Sequence, residues 1–209
     1  MKNNGDCTVD LSTSQVVKTK DDIETEGNSY LGQYFSGKLT IDAMIQTMTG
    51  LRQSSNQRER SIFECMIANY FEEYKFFNRY PDRQLRLAAL LLGSLIKNHL
   101  LTHLPLGIAL RQVLDASRKP VDSKMYSFGI TALEQFTERL KEWPMYCKHI
   151  LKISHLRVTH SELVSFVEIT LAGDTSHSLP ANQHNSPVSQ PNNEPETMAP
   201  PTVIPSGSF

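Results

Sequence analysis

The sequence predicts an all-α fold of about seven helices, packed in antiparallel pairs as a short HEAT-like solenoid. Three observations carry that expectation. Residues 61–81, SIFECMIANYFEEYKFFNRYP, set Ile62, Met66 and Tyr70 in one row and Phe63, Ile67, Phe71 and Tyr74 in a second beside it. Steps of three, four and one are the spacing of one helix face. Residues 85–96, LRLAALLLGSLI, are apolar nearly all round, as in a helix buried on several sides. Leu and Ala outnumber Val and Ile there, which argues against a strand. Nowhere does Asn-Gly or Asp-Gly stand between alternating runs, so nothing reads as a hairpin.

Thr40 is a good N-cap for a helix over 41–51, with Ile41, Met44, Ile45 and Met48 on one face and Gly50 near its end. Ser54 or Ser55 then starts the aromatic helix, which runs to about Phe77 and is stopped by Pro81. Asp82 is placed to cap a helix over 83–98. The next, over 104–118, turns Leu106, Ala109, Leu110, Val113 and Leu114 inward. Lys119-Pro120 ends it, because a residue before proline is pushed out of helical geometry. Asp122 or Ser123 caps a fifth helix over 124–143, with Met125, Ala132, Leu133, Phe136 and Leu140 as its stripe. Pro144 stops it and opens a sixth over 145–154. The last, over 161–172, is capped by Thr159 or Ser161, has Glu162 at its positive end, and is closed by Gly173.

These helices occupy residues 36–172, about one ordinary domain. Residues 1–35 hold few large apolar side chains and are expected to be mostly disordered, with Tyr30, Leu31, Tyr34 and Phe35 as a strap docked on the domain. Residues 173–209, rich in Ser, Pro and Asn, are expected to be a disordered tail.

Composition narrows the chemistry. A net charge of −1 gives no bulk reason to expect nucleic acid or an anionic membrane. No stretch reaches the roughly 18 apolar residues a transmembrane helix needs, and the N-terminus lacks the apolar core of a secretory signal. Cys7, Cys65 and Cys147 are odd in number and widely spaced, as free thiols in a reducing, intracellular compartment are.

No catalytic residue, metal site or cofactor is expected. His99 and His103 have a ligand-like spacing but straddle a helix break, and His155 and His160 share that weakness. Cys147 and His149 cannot face each other on one helix. Gly93, Gly107 and Gly129 are isolated within helices, where they read as points of close helix approach rather than a phosphate cradle. Arg83, Arg86, Arg111, Arg118 and Lys119 could share a basic edge, but acidic residues interleave, so direct nucleic-acid binding is not expected. The excess of aromatics, among them Tyr70, Phe71, Tyr74, Phe76, Phe77, Tyr126 and Phe128, points instead to a partly exposed row that receives an amphipathic helix.

Three blocks make the sequence recognisable: IFECMIANYFEEYKFFNRYPDRQL, LGIALRQVLDASRKPVDSKMYSFGITALEQF and EWPMYCKHILKISHL. In this order they closely resemble a helical domain in the large scaffold subunit of the CCR–NOT deadenylase complex, the domain that binds the mRNA-decay factor tristetraprolin in animals. The resemblance covers about residues 35–172. It implies a non-enzymatic HEAT-like platform that takes short amphipathic peptides of RNA-binding adaptor proteins, linking mRNAs to deadenylation, decay and translational repression. Deadenylase complex subunits are the further partners it implies, and cytoplasmic P-bodies and the nucleus the locations. Asn69, Phe71, Tyr74 and Tyr126 are the expected groove: Phe71 and Tyr74 for the peptide's apolar face, Asn69 and the Tyr126 hydroxyl for its polar groups. The family scaffold is much longer, so its nuclease-recruiting and C-terminal assembly segments are expected to be missing here; the alternatives to the platform reading are an adaptor-binding competitor that recruits no nuclease and an independent RNA-binding helical domain. Asn78, where proline is expected, and Ser117, where leucine would suit the helix, depart from the pattern. Ser117 is expected to cost about 1–2 kcal/mol of packing if buried.

Overall fold

Two of the expected N-caps, Thr40 and Ser123, reappear in the computed structural model, which describes residues 11–175 and the side chains of 20–173. Helix α1 spans Leu11–Phe35, α2 Ile41–Gln53, α3 Gln57–Glu73, α4 Asp82–Lys97, α5 His103–Ser117, α6 Lys124–Gln135, α7 Pro144–Leu151, α8 Leu156–Thr159 and α9 Ser161–Thr175. Two 3-10 segments, Tyr74–Arg79 and Thr137–Glu142, follow α3 and α6. Among the described residues there is no strand.

Thr40 Oγ1 accepts from the Ala43 amide at 3.2 Å and Ser123 Oγ from the Tyr126 amide at 3.1 Å, each satisfying an orphan donor of its helix. Asn56, not Ser54 or Ser55, caps α3, its Oδ1 accepting from the Arg58 amide at 2.9 Å. Asp82 lies in the first turn of α4 rather than at the cap. There its carboxylate favours the helix's positive end and pairs with Lys124 at 2.9 Å.

Several sequence expectations are corrected. Residues 11–35, expected to be mostly disordered, form α1, because Ile23, Gly27, Tyr30, Leu31 and Tyr34 share one face and rest on α3 and α4. Tyr34 is fully buried and its hydroxyl donates to the Leu87 carbonyl at 2.8 Å. Asn28 meets Asn69 at 2.8 Å and Glu26 pairs with Arg58 at 2.7 Å, so the second half of α1 is held on the domain. The two long helices expected over 54–77 and 124–143 each end early in a tighter 3-10 segment, a common way for a helix to finish. Gly173 does not close α9, which continues to Thr175. Residues 1–10 and 176–209, with the tail expectations that fall on them, lie outside the described residues.

The centre of the molecule is α4 against α6, with α5 on the other side of α6. Leu85, Ala88, Ala89, Leu91, Leu92, Leu95 and Ile96 of α4 are all buried, the all-round burial that its composition predicts. Two of the three isolated glycines permit the close approach expected of them. A Cβ at Gly93 would lie 2.7 Å from Gln135 Cβ, and one at Gly129 would lie 2.5 Å from the Ser117 amide nitrogen. Gly107 has open space around it and plays no such part. Ser117 is buried, but its hydroxyl donates to the Val113 carbonyl at 2.8 Å, so its polar group is satisfied where α5 meets α6. Arg139 clamps the segment after α6 by donating to the Ile96 carbonyl at the end of α4 and to both carboxylate oxygens of Glu142.

Candidate functional site

The four residues expected to form one groove do not come together. Asn69 and Phe71 are two positions apart on α3, about 200° around the helix, and so face different neighbours. Asn69 donates to Asn28 on α1. Tyr74 lies between α3 and α5: its hydroxyl donates to the Gln112 carbonyl at 3.1 Å and its ring meets Phe77 and Phe128 at 5.6 and 5.8 Å. Tyr126 is buried, 4% exposed, beneath the α8 turn, with its hydroxyl 2.6 Å from Thr159 Oγ1 and 2.9 Å from His160 Nδ1. A peptide on the surface cannot reach a hydroxyl engaged there, so Tyr126 is corrected from groove to core.

Phe71 does line a groove, of about 550 Å³. One wall is the outer row of α3, Phe63, Ile67 and Phe71, and the other is Leu101 of the α4–α5 connection with Leu104 and Pro105 of the first turn of α5. The connection is shaped by His99 and His103, both in left-handed backbone geometry (φ 57° and 50°), which non-glycine residues adopt infrequently. Between them Leu100 and Leu101 turn into the core, while Leu104 stays 73% exposed. Phe63, Ile67, Leu100 and Leu101 are buried and anchor the groove, and exposed Leu104 with half-buried Phe71 leaves apolar surface open to a partner. Sequence reasoning found Phe71 but missed Leu101, Leu104 and Pro105, because local spacing does not mark which residues of a connection or of a helix's first turn will face α3, far away in sequence.

The tyrosines of the α3 seam carry a pH signature. Burial, aided by the Asp115 carboxylate, pushes the Tyr74 phenol up to about 12. Burial, with the hydrogen bond to Glu73, pushes Tyr80 to about 12 as well. Both therefore hold their protons more tightly folded than unfolded, where a tyrosine titrates near 10. As pH rises the unfolded chain loses these protons first, so their contribution to stability is intact below about pH 10 and is lost on the way to about 12. Melting temperature should fall across that window, and Tyr74→Phe with Tyr80→Phe should flatten the fall. An unchanged slope in the double variant would refute the assignment.

Against this geometry the comparisons with known proteins are specific. Residues 1–178 match the family described as the CCR4-NOT transcription complex subunit 1 TTP binding domain. General negative regulator of transcription subunit 1 of Schizosaccharomyces pombe is 35% identical over 164 residues, covering 78% of this chain and 8% of that protein. The Saccharomyces cerevisiae protein of the same name is 34% identical over 142 residues, covering 68% of this chain and 7% of that protein. In Caenorhabditis elegans, CCR4-NOT transcription complex subunit let-711 is 28% identical over 170 residues, covering 80% and 6%. The chain thus spans less than a tenth of the length of these relatives. Among solved structures, the N-terminal domain of the yeast Not1 superposes with a TM-score of 0.67 at 32% identity, over 72% of this chain and 28% of that one. With that family's pattern running through α1 to α9, the chain belongs to the CCR4-NOT transcription complex subunit 1 TTP binding domain family.

Proposed function

We propose that the chain is a non-enzymatic protein-interaction platform of the CCR4-NOT scaffold type. Its groove between α3 and the α4–α5 connection takes a short amphipathic helix from an RNA-binding adaptor. The adaptor's mRNA is thereby linked to deadenylation, decay and translational repression, a largely cytoplasmic role. The observation that carries this reading is the apolar groove around Phe71 in a chain of this family. Helix-in-groove recognition needs such a slot, open at the surface and walled by side chains on a rigid helix.

The reading assigns Phe71 a contact with the peptide and removes Tyr126 from it. Phe71→Ala should weaken binding of a labelled tristetraprolin-type adaptor peptide about tenfold, the loss of one buried aromatic contact. Tyr126→Phe, which touches neither wall, should leave affinity unchanged. Fluorescence anisotropy with each purified variant, checked for helicity by circular dichroism, decides it. Equal affinity for the parent and a folded Phe71→Ala variant would rule out this groove. Deadenylase subunits recovered with the parent chain would favour a bridging role, and adaptor without nuclease a competing one.

A further inference from the structure

The groove is electrically lopsided. Its α3 wall begins with Arg60 and continues through Phe63, Ile67 and Phe71, 11 positions that span about 17 Å at 1.5 Å per residue. That length matches about three turns of a docked helix. Arg52, in the last turn of α2, joins Arg60 at one end, whereas Ala68 and Phe71 at the other end of the α3 wall carry no charge.

Neutral oxygens hold both arginines. Arg52 donates to the His99 carbonyl, and Arg60 donates to the Ser54 carbonyl at 2.6 Å and to the Gln57 side-chain oxygen. These acceptors fix the guanidinium groups in place without neutralising them. Other arginines of the fold are neutralised: Arg58 by Glu26, Arg139 by Glu142 and Arg157 by Glu168. Among the described residues no carboxylate forms an ion pair with Arg52 or Arg60. Glu64, exposed one turn beyond Arg60, is the one acid among the groove's lining residues, so two cations face one anion there. The N-terminus of α3 adds its own partial positive charge at the same end.

We infer that the groove selects an amphipathic helix with carboxylates in its C-terminal turn, docked antiparallel to α3 with that turn against Arg52 and Arg60. This rests on the groove reading above and adds the partner's charge and direction. Apolar residues of the partner meet Ile67, Phe71 and Leu104, while its last turn meets the cationic end. The negative end of a helix dipole favours the same direction as the carboxylates do. Because the guanidinium groups are already held, a carboxylate gains charge-assisted hydrogen bonds without ordering two long side chains.

The test leaves Arg52 and Arg60 in place, since Arg52 also braces the α4–α5 connection and Arg60 the start of α3, and varies the partner. Three synthetic helical peptides of about 12 residues, long enough for the groove, share one Leu/Phe stripe. One carries paired Glu in its last turn, one paired Lys in its last turn, and one paired Glu in its first turn. The last-turn Glu peptide should bind the full chain at least about tenfold tighter than the Lys peptide and tighter than the first-turn Glu peptide. Its advantage should shrink as salt is raised toward about 1 M, where screening is short-ranged. Equal binding of all three, still abolished by Phe71→Ala, overturns the charge selection and leaves the groove standing. Preference for the first-turn Glu peptide overturns the direction. Binding that is absent for all three, or indifferent to Phe71→Ala, takes down the groove reading and this inference together.

Discussion

Replacing Phe77 by alanine should destabilise the protein by about 3–5 kcal/mol, the range for truncating a buried aromatic in a packed core. Phe77 is fully buried in the 3-10 segment that follows α3. Its ring lies 5.4 Å from Tyr70, 5.6 Å from Tyr74, 5.0 Å from Tyr80 and 5.5 Å from Phe128. The Tyr70 and Tyr74 contacts are edge-on, a favoured arrangement of ring quadrupoles. Three of these neighbours cannot collapse into the hole, because their hydroxyls are tethered: Tyr70 to the Ala88 carbonyl, Tyr74 to the Gln112 carbonyl and Tyr80 to Glu73. A site that relaxes poorly keeps its cavity, which puts the cost toward the upper part of the range. Denaturant unfolding followed by circular dichroism measures it. Phe77→Leu, which fills part of the volume, should cost clearly less. An alanine variant as stable as the parent would mean that the ring cluster does not hold this end of α3.

A glycine pair should behave with opposite signs. In a helix, alanine is intrinsically better than glycine by about 1 kcal/mol. At Gly107 nothing lies within 4 Å of a new Cβ, so Gly107→Ala should stabilise α5 by about 0.5–1 kcal/mol. At Gly129 the same methyl would meet the Ser117 nitrogen at 2.5 Å, Ser117 Oγ at 2.7 Å and the Ala116 carbonyl carbon at 2.9 Å. Two of these are backbone atoms of α5, which can yield only if the whole helix shifts. Overpacking of this kind costs about 1–3 kcal/mol and should exceed the helix-propensity gain. Gly129→Ala should therefore lower the melting temperature while Gly107→Ala raises it. Stabilisation by both would show that α5 and α6 can move apart freely.

The pair also shows where sequence reasoning reaches its limit. All three isolated glycines look alike as letters within apolar helices, and all three were expected to mark close contacts. Gly93 and Gly129 do; Gly107 does not. The difference depends on which helix lies across each glycine, and that is a long-range property. Asn69, Phe71, Tyr74 and Tyr126 divide in the same way. Their types suggested a binding row, but Phe71 alone of the four reaches the open groove, whereas Asn69 meets α1 and Tyr126 is buried beneath α8.

Helix class, the main start signals and the buried stripe of α3 were legible because they are local. Apolar spacing, capping side chains and proline act within one or two turns of chain. The face of α1 was also present in the spacing of Ile23, Gly27, Tyr30, Leu31 and Tyr34, but its sparse apolar content makes it weak until α3 and α4 receive it. Most of a helix's stability comes from such packing rather than from propensity. By itself the sequence determined an all-α chain, the order of its central helices and the family whose pattern it bears. The tertiary structure alone decided that α1 is part of the fold, that α6 lies between α4 and α5, and that the groove is completed by the α4–α5 connection and the first turn of α5. Those outcomes depend on side chains distant in sequence meeting in space, and no local period encodes which ones will meet.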